Sequence, residues 1–109
     1  MNLWRSMTNL LYIRPGDAEE AIGAWIKAVE HDGPTVLGLN RGAVLLQSGT
    51  DRVKMQNGAY VSEEDQDAKI ALMATGSEVY HSVNAGRILR SRGVATRVVS
   101  MPSMRRFEE

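Results

Sequence analysis

The sequence predicts an α/β fold made of two partial parallel-sheet units, each a strand, a helix and a second strand, joined by a linker. Two observations support this prediction. In each half of the 109-residue chain, an apolar run of strand length is followed by apolar residues at helical spacing and then by another apolar run. Between the halves lies an acidic stretch without apolar periodicity. Strand, helix and strand in series imply parallel pairing with a right-handed crossover in each unit.

The first unit begins with an apolar run at residues 10–13, which is predicted to be a buried strand ending before Pro15. Asp17 has the position of a helix N-cap, and Glu20 follows three residues later, which is a capping-box arrangement. The second strand is predicted at residues 35–39. One face of the intervening helix is apolar and is expected to be buried: Ala18, Ala21, Ile22, Trp25, Ile26 and Val29.

The middle of the chain changes character twice. Residues 40–61 are rich in glycine and polar side chains and are predicted to form an ordered excursion. At residues 62–68 the charge density rises and apolar periodicity disappears, which indicates a linker and a domain boundary. The predicted organisation is therefore a first unit at 1–61, a linker at 62–68 and a second unit at 69–109.

The second unit begins with an apolar run at residues 70–74, which is predicted to be a strand. Thr75 or Ser77 is expected to cap the helix that follows. Another strand is predicted at residues 94–100, and residues 103–107 are expected to start a turn or helix. The apolar face of the central helix contains Val79, Val83, Gly86 and Leu89.

Parallel sheets are normally covered on both faces. A two-stranded parallel fragment would therefore expose its apolar faces and edges unless other segments cover them. Apolar burial stabilises by roughly 25 cal/mol per Å², whereas ordering the chain costs about 1 to 2 kcal/mol per residue. We therefore expect little stability for the chain on its own. The two tryptophans, Trp4 and Trp25, are expected to pack in a core rather than to form an aromatic platform for a ligand.

Composition argues against several classes of partner. Thirteen basic and thirteen acidic residues cancel, so the chain has no overall charge to attract nucleic acid or an anionic membrane. The absence of cysteine excludes a disulfide framework, a thiolate metal site and a cysteine nucleophile. The polar start lacks the apolar core of a secretory signal, and no apolar run approaches membrane-spanning length. We expect a cytoplasmic location.

Several polar residues allow both a functional and a structural interpretation. Arg14 follows a strand, where α/β sheets place their ligand crevices, but an ion pair or a cap is the other interpretation. Residues 75–78 could bind an anion at a helix N-terminus, yet Glu78 already complements the helix dipole and favours capping. His31 and His81 lack a nearby carboxylate cluster in sequence, so neither is predicted to bind metal or act as a base.

Five stretches resemble, in order and spacing, motifs of the transketolases. Residues 14–17 resemble the family's Arg-Pro-Ala-Asp motif, and residues 33–41 its Gly-Pro-Thr strand that ends in Leu-Ser-Arg. Residues 58–61 resemble a Gly-Ala-Tyr turn, residues 73–79 the Ala-Thr-Gly-Ser-Glu-Val motif, and residues 98–104 the strand that follows it. Together they extend the resemblance over essentially the whole chain.

The resemblance implies a domain assignment and an activity. Residues 1–61 would be the C-terminal half of the pyrimidine-binding domain, and residues 69–109 the N-terminal half of the C-terminal domain. Transketolases transfer a two-carbon ketol unit between sugar phosphates with thiamine diphosphate and Mg²⁺. The family's cofactor-activating and metal-binding motifs have no counterpart in this chain. We therefore expect no catalytic, cofactor-binding or metal-binding residue here, and no activity of the chain alone.

Arg41 is the candidate site residue that the resemblance implies, because it matches the strand-end arginine that binds the substrate's phosphate. A guanidinium group can hold a phosphate with two parallel donors. The chain departs from the family directly afterwards, since residues 42–45 read Gly-Ala-Val-Leu where the family has Gln-Asn-Leu-Pro. The loop thus lacks the proline that would stiffen it. Arg14 is a secondary candidate for the same role.

Three functional hypotheses remain open at the level of sequence. The first is a transketolase that acts on sugar phosphates together with the remainder of a transketolase or a dimer partner. The second is a related enzyme with another acceptor, such as a dihydroxyacetone-forming one, which the altered loop after Arg41 would permit. The third is a non-catalytic fragment or pseudoenzyme that binds a transketolase-type partner through uncovered sheet edges and helix faces.

Overall fold

A computed structural model describes residues 2–109. The helices are α1 (Asn2–Ser6), α2 (Ala18–Glu30), α3 (Glu78–Ser91) and α4 (Met104–Glu108), with one 3-10 helix at Lys54–Asn57. The strands are β1 (Leu11–Ile13), β2 (Thr35–Leu37), β3 (Tyr60–Glu64), β4 (Ile70–Ala74) and β5 (Thr96–Ser100). No helix among these residues combines the length and apolar character needed to cross a bilayer.

The α/β class and both parallel strand-helix-strand units are confirmed. β1 pairs with β2 in parallel, with Leu11 opposite Thr35, and α2 is the connection between them. β4 pairs with β5 in parallel, with Ile70 opposite Thr96, and α3 connects them. Both pairs follow from apolar runs flanking an amphipathic helix, which is the pattern that predicted them.

β3 differs from the prediction, because the stretch taken as a linker begins inside a strand. β3 runs antiparallel to β5 and completes a sheet of order β3-β5-β4. Its acidic side chains face arginines, with Glu64 paired to Arg97 and Glu63 lying 3.5 Å from Arg90. Exposed charges are common on edge strands, where they discourage pairing with other chains. Acidic composition therefore indicated an edge strand here rather than a flexible connection.

The apolar face of α2 is exposed, so the expectation that it would be buried is wrong for this chain. The residues of α2 that are buried are instead Glu20, Gly23 and Ala24. A Cβ at Gly23 would lie only 2.5 Å from Met55 Sδ, so α2 packs on the 3-10 helix through its small residues. We call the exposed residues the α2 stripe: Ile22, Trp25, Ile26 and Val29.

Neither tryptophan lies in a core. Trp25 is 61% exposed in the α2 stripe, and Trp4 on α1 is 38% exposed. The prediction of core packing is wrong because apolar spacing shows only that residues share a face, and the structure leaves both of these faces open to solvent.

Two small apolar cores organise the molecule. The first contains Leu11, Ile13, Ala24, Met55 and Tyr60, with Leu37 against it. The second contains Val79, Val83 and Val98, with Ala74 against it. Because Tyr60 belongs to β3, a strand of the second sheet closes the core of the first unit. The two units are thus packed against each other.

Candidate functional site

The carboxyl ends of β1, β2 and β4 meet at one crevice. Arg14 follows β1, Asn40 lies three residues after β2, and Ser77 lies in the turn between β4 and α3. These three residues, with Tyr12, Gly38 and Leu39, line a cavity of about 240 Å³. Open α/β sheets bind ligands beside the carboxyl ends of their strands. We refer to this region as the carboxyl-end crevice.

The crevice continues along the first turns of α3. One neighbouring cavity of about 360 Å³ lies between the loop after β2 and α3, and Asn40, Ser77 and His81 line it. Another, of about 520 Å³, lies over the end of β4 and is lined by residues that include Arg14, Glu78 and His81. The region is therefore lined by a mixture of side chains: Arg14 provides a cation, Asn40 and Ser77 are polar, and Leu45, Leu72 and Met73 are among the apolar ones.

Arg14 is held in the crevice through both its backbone and its side chain. Its N–H donates to Pro102 O at 2.8 Å, and its carbonyl accepts from Gly76 N at 3.1 Å. Its guanidinium pairs with Glu78 at 3.1 Å, with 15% of the Arg14 side chain exposed. Gly76 has φ +63°, and a Cβ there would lie 2.9 Å from the guanidinium, so glycine is required. The ion-pair interpretation of Arg14 thus has direct support.

The turn before α3 offers an uncapped helix N-terminus. Ser77 stands at the N-cap position, as one of the two predicted capping residues, but its side chain makes no capping hydrogen bond. Val79 N donates instead to Gly76 O at 3.1 Å. Glu78 lies in the first turn and brings a negative charge to the positive end of the helix dipole. The expected side-chain cap from Ser77 is therefore not formed, whereas the expected charge of Glu78 in the first turn is present.

Arg41 lies in the long loop between β2 and the 3-10 helix, and it is exposed. Nearby, Asn40 Nδ2 donates to Gly42 O at 3.3 Å, which folds the backbone around Arg41. Within residues 2–109, no carboxylate lies within ion-pair distance of its guanidinium, whereas Arg14 is paired. Asn40 and Gly42, on either side of it, both line cavities of this region. Among residues 2–109, Arg41 is thus a cation without a carboxylate partner, and its neighbours in the chain line the crevice region.

A buried carboxylate, Glu20, joins the two units, and sequence reasoning found only part of its role. Glu20 is 0% exposed. Its Oε2 accepts from Gly16 N at 2.7 Å, while Oε1 accepts from the hydroxyl of Tyr60 at 2.7 Å and from that of Ser100. The capping-box spacing indicated a bond back to the start of the helix. Nothing in the local sequence indicated partners on β3 and β5.

Tyr60 donates a hydrogen bond from its hydroxyl to this carboxylate. Burial, and after it the negative charge of Glu20, raises the pKa of the Tyr60 hydroxyl far above its usual range. The hydroxyl therefore keeps its proton, which it donates to Glu20, while its oxygen accepts from Asp51 N at 3.1 Å. Tyr60 in this way connects α2 both to β3 and to the segment before the 3-10 helix.

Asp17, like Glu20, accepts hydrogen bonds from a distant segment, which is the loop between β2 and the 3-10 helix that contains Arg41. It is 7% exposed, and its Oδ1 accepts from Glu20 N at 3.1 Å, which confirms the predicted N-cap. Its Oδ2 accepts from Gln47 N at 3.0 Å and from Thr50 Oγ1 at 2.5 Å. The first turn of α2 therefore holds the far end of the loop that contains Arg41.

The described residues do not fit the divalent metal that the family resemblance implies. Within residues 2–109, no three side chains of His, Asp or Glu lie close enough together to hold a metal ion. His31 Nε2 lies 3.3 Å from Asn9 O, and the ring of His81 meets Tyr80 edge-on at 5.5 Å. No chemical step through a bound metal or cofactor is assigned to these residues.

Comparison with known proteins gives one consistent result. A family model described as the transketolase-like C-terminal domain matches residues 58–109. The chain is 44% identical over 108 residues to dihydroxyacetone synthase of Candida boidinii and 45% identical over 107 residues to a probable transketolase of Streptococcus pneumoniae. These matches cover 98% and 96% of the chain, but only 15% and 16% of the two relatives.

A solved structure agrees with these matches. The transketolase from Leishmania mexicana superimposes with a TM-score of 0.93 at 39% identity, over 98% of this chain and 16% of that one. The chain thus spans about one sixth of the length of the proteins that it matches.

Proposed function

We propose that this chain, which belongs to the transketolase family, forms one wall of a sugar-phosphate site. The enzyme concerned would transfer a two-carbon ketol unit. The proposal rests on one observation above all, which is the unpaired Arg41 beside the carboxyl-end crevice. A phosphate dianion is best bound by a guanidinium group that is not already neutralised by a carboxylate.

Arg41 and Arg14 have different parts in this proposal. Arg41 binds the phosphate of the substrate, because it is exposed and no carboxylate of the described residues is paired with it. Arg14 is the secondary candidate. Its guanidinium is already paired with the Glu78 carboxylate at 3.1 Å, and a phosphate would have to displace that carboxylate. Asn40 and Ser77, which line the same cavity as Arg14, supply an amide and a hydroxyl suited to sugar hydroxyl groups.

The reactive chemistry lies outside these residues in this proposal. Thiamine diphosphate and Mg²⁺, which the family implies, are held by other segments, because residues 2–109 form no metal-binding cluster. The chain alone is therefore inactive, and its contribution is to bind and orient a phosphorylated substrate. We further propose a cytoplasmic location and no nucleic-acid or membrane partner, in keeping with the balanced charge.

The partners that we propose are the remainder of a transketolase or a dimer partner. Two apolar surfaces support this assignment. One is the α2 stripe, where Trp25 and Val29 are 61% and 83% exposed. The other is β4, which exposes Ile70 and Met73 and pairs with no strand of residues 2–109 on its outer side. A partner could extend the sheet at β4 and bury the apolar helix face of the α2 stripe.

Two alternative functions have an observation in their favour. A dihydroxyacetone-forming enzyme is favoured by the 44% identity to the Candida boidinii protein and by the altered loop after Arg41. A non-catalytic interaction module is favoured by the exposed α2 stripe, which would serve as its binding surface. The first differs in acceptor only, whereas the second requires no sugar-phosphate binding.

The test is a kinetic comparison in a full-length transketolase that contains this chain as its matching segment. Arg41→Ala is expected to raise the KM for fructose 6-phosphate about 10- to 100-fold, because a charge-assisted contact is worth roughly 1.5 to 3 kcal/mol. The matched control is Arg92→Ala, which removes an exposed arginine at the other end of α3, about 20 Å along that helix. An unchanged KM for Arg41→Ala would remove the phosphate assignment.

A further inference from the structure

We propose that Asp17 is a positioning residue, which holds Arg41 beside the carboxyl-end crevice by anchoring the loop on which it lies. This inference rests on the proposed function, since it concerns the same phosphate site. Asp17 is 7% exposed and accepts three hydrogen bonds, of which only the bond from Glu20 N belongs to the helix cap. The other two come from the loop after β2.

The loop that carries Arg41 is fixed at two points. At its beginning, Gly38 N donates to Ile13 O at 2.9 Å, which continues the β1–β2 ladder. At its far end, Gln47 N donates to Asp17 Oδ2 at 3.0 Å. Between these anchors, the side-chain hydrogen bonds of the described residues stay within the loop. The position of Arg41 is therefore set by the two anchors, and one of them is Asp17.

The far anchor is strengthened by its neighbours. Thr50 Oγ1 lies 2.5 Å from Asp17 Oδ2, to which its one proton can be donated, and Thr50 N donates to Gln47 O at 3.4 Å. Two residues later, Arg52 Nε donates to Glu19 Oε2 at 3.0 Å. The first turn of α2 thus holds a continuous segment of the loop rather than a single atom.

Apart from the side-chain bonds of Asn40 and Gln47, the sequence of the loop does little to hold its shape. Residues 42–45 contain glycine and three apolar side chains, and of these Leu45 is 69% exposed. No proline restricts the backbone after Arg41. External anchoring by Asp17 therefore performs the role that a stiff loop sequence would otherwise have.

Asp17→Asn separates the anchor from the helix cap. An asparagine amide has one acceptor oxygen, whereas the aspartate uses one oxygen for Glu20 N and the other for the loop. Asparagine is an equally good N-cap, so its oxygen can stay on Glu20 N while its NH₂ group faces the Gln47 N–H. The helix start is kept and the contact with Gln47 N is lost, while the Thr50 hydroxyl can still accept from the NH₂ group.

The test uses a full-length transketolase that contains this chain. Asp17→Asn is expected to raise the KM for fructose 6-phosphate about fivefold to tenfold while kcat changes less than about twofold, because binding is impaired and chemistry is not. Thr50→Val removes one of the two loop bonds without touching the cap, and it is expected to shift the KM in the same direction by less. The matched control is Asp32→Asn, the same chemical change at an exposed residue.

A double substitution distinguishes this inference from the proposed function. If Asp17 acts through Arg41, the KM of Asp17→Asn combined with Arg41→Ala equals that of Arg41→Ala alone. If Arg41→Ala raises the KM but Asp17→Asn and Thr50→Val only lower the melting temperature, the positioning role is wrong and the phosphate site stands. If Arg41→Ala itself has no effect, both proposals fail.

Discussion

The helices α2 and α3 have the same apolar spacing in sequence but opposite surroundings in the structure. On α3, Val79 and Val83 are each 1% exposed and pack on Val98. On α2, the corresponding stripe faces solvent, and Val29 is 83% exposed. Apolar spacing therefore predicts which residues share a helix face, but the rest of the assembly decides whether that face is covered.

The two units consequently depend on different interactions. The second unit is held by apolar packing of α3 on its own sheet. The first unit is joined to the second by the hydrogen bonds that Glu20 accepts from Tyr60 and Ser100, and also by backbone bonds of Arg14 and by the ring of Tyr60 in the first core. We expect the first unit to be most sensitive to polar substitutions and the second to apolar truncations.

Removing the Glu20 carboxylate should have the largest effect on stability. Glu20→Ala leaves the Gly16 amide and the Tyr60 and Ser100 hydroxyls without their acceptor inside the protein. We expect a loss of about 3 to 5 kcal/mol in the free energy of unfolding, measured by urea denaturation. Glu30→Ala, at an exposed position on the same helix, is the control. A loss no larger than that of the control would contradict the assigned role of Glu20.

A matched pair of valine truncations tests the comparison of the helices directly. Val83→Ala removes methyl groups from the second core and should destabilise the chain by about 2 kcal/mol. Val29→Ala makes the same change in the α2 stripe and should alter stability by less than about 0.5 kcal/mol. Equal losses would mean that the α2 stripe is covered in solution, for example by self-association.

Tyr60 should give a smaller effect with a distinctive pH dependence. Tyr60→Phe removes a donor to Glu20 and an acceptor for Asp51 N, which should lower stability by about 1 to 2 kcal/mol near neutral pH. Because folding raises the pKa of Tyr60, the unfolded chain loses this proton first as the pH rises. The contribution is therefore complete below about pH 10 and falls above it by up to about 1.4 kcal/mol per pH unit.

The measurement is urea denaturation of both proteins between neutral and strongly alkaline pH. The original chain should lose stability more steeply above the ordinary tyrosine pKa than the Tyr60→Phe variant does. Parallel slopes for the two proteins would show that Tyr60 titrates in the folded state as it does in the unfolded state.

Local patterns predicted the parts of the fold that depend on nearby residues. Both strand-helix-strand units, the N-cap at Asp17 and the start of α4 after Ser103 could be read from the sequence, since each is determined within a few positions. β3 could not, because its pairing partner lies far away, with Tyr60 opposite Ser100. The acidic residues that suggested a linker are matched by arginines that only the folded sheet brings close.

The candidate site likewise combines features that nearby residues predict with contacts between residues far apart in sequence. Arg14 and Arg41 were identified from strand-end positions and family motifs; the structure places Arg14 in the crevice and Arg41 next in the chain to Asn40, which also lines it, and the roles of both stay predictions. The contacts from Asp17 to Gln47 and from Glu20 to Ser100 span 30 and 80 residues. Such distant partners cannot be inferred from local spacing, even where the carboxylates themselves stand out as capping residues.

The central claim, that a sugar phosphate contacts Arg41 at the carboxyl-end crevice, is most directly tested by an NMR titration of a full-length transketolase that contains this 109-residue chain as its isotope-labelled segment. Fructose 6-phosphate is the ligand, fructose is the control without phosphate, and Arg41→Ala is the control variant. We predict chemical-shift changes at the amides of residues 39–42 and Ser77 with the phosphorylated sugar only, and their loss in the variant. Changes that persist in Arg41→Ala, or that are equal for fructose, would contradict the claim.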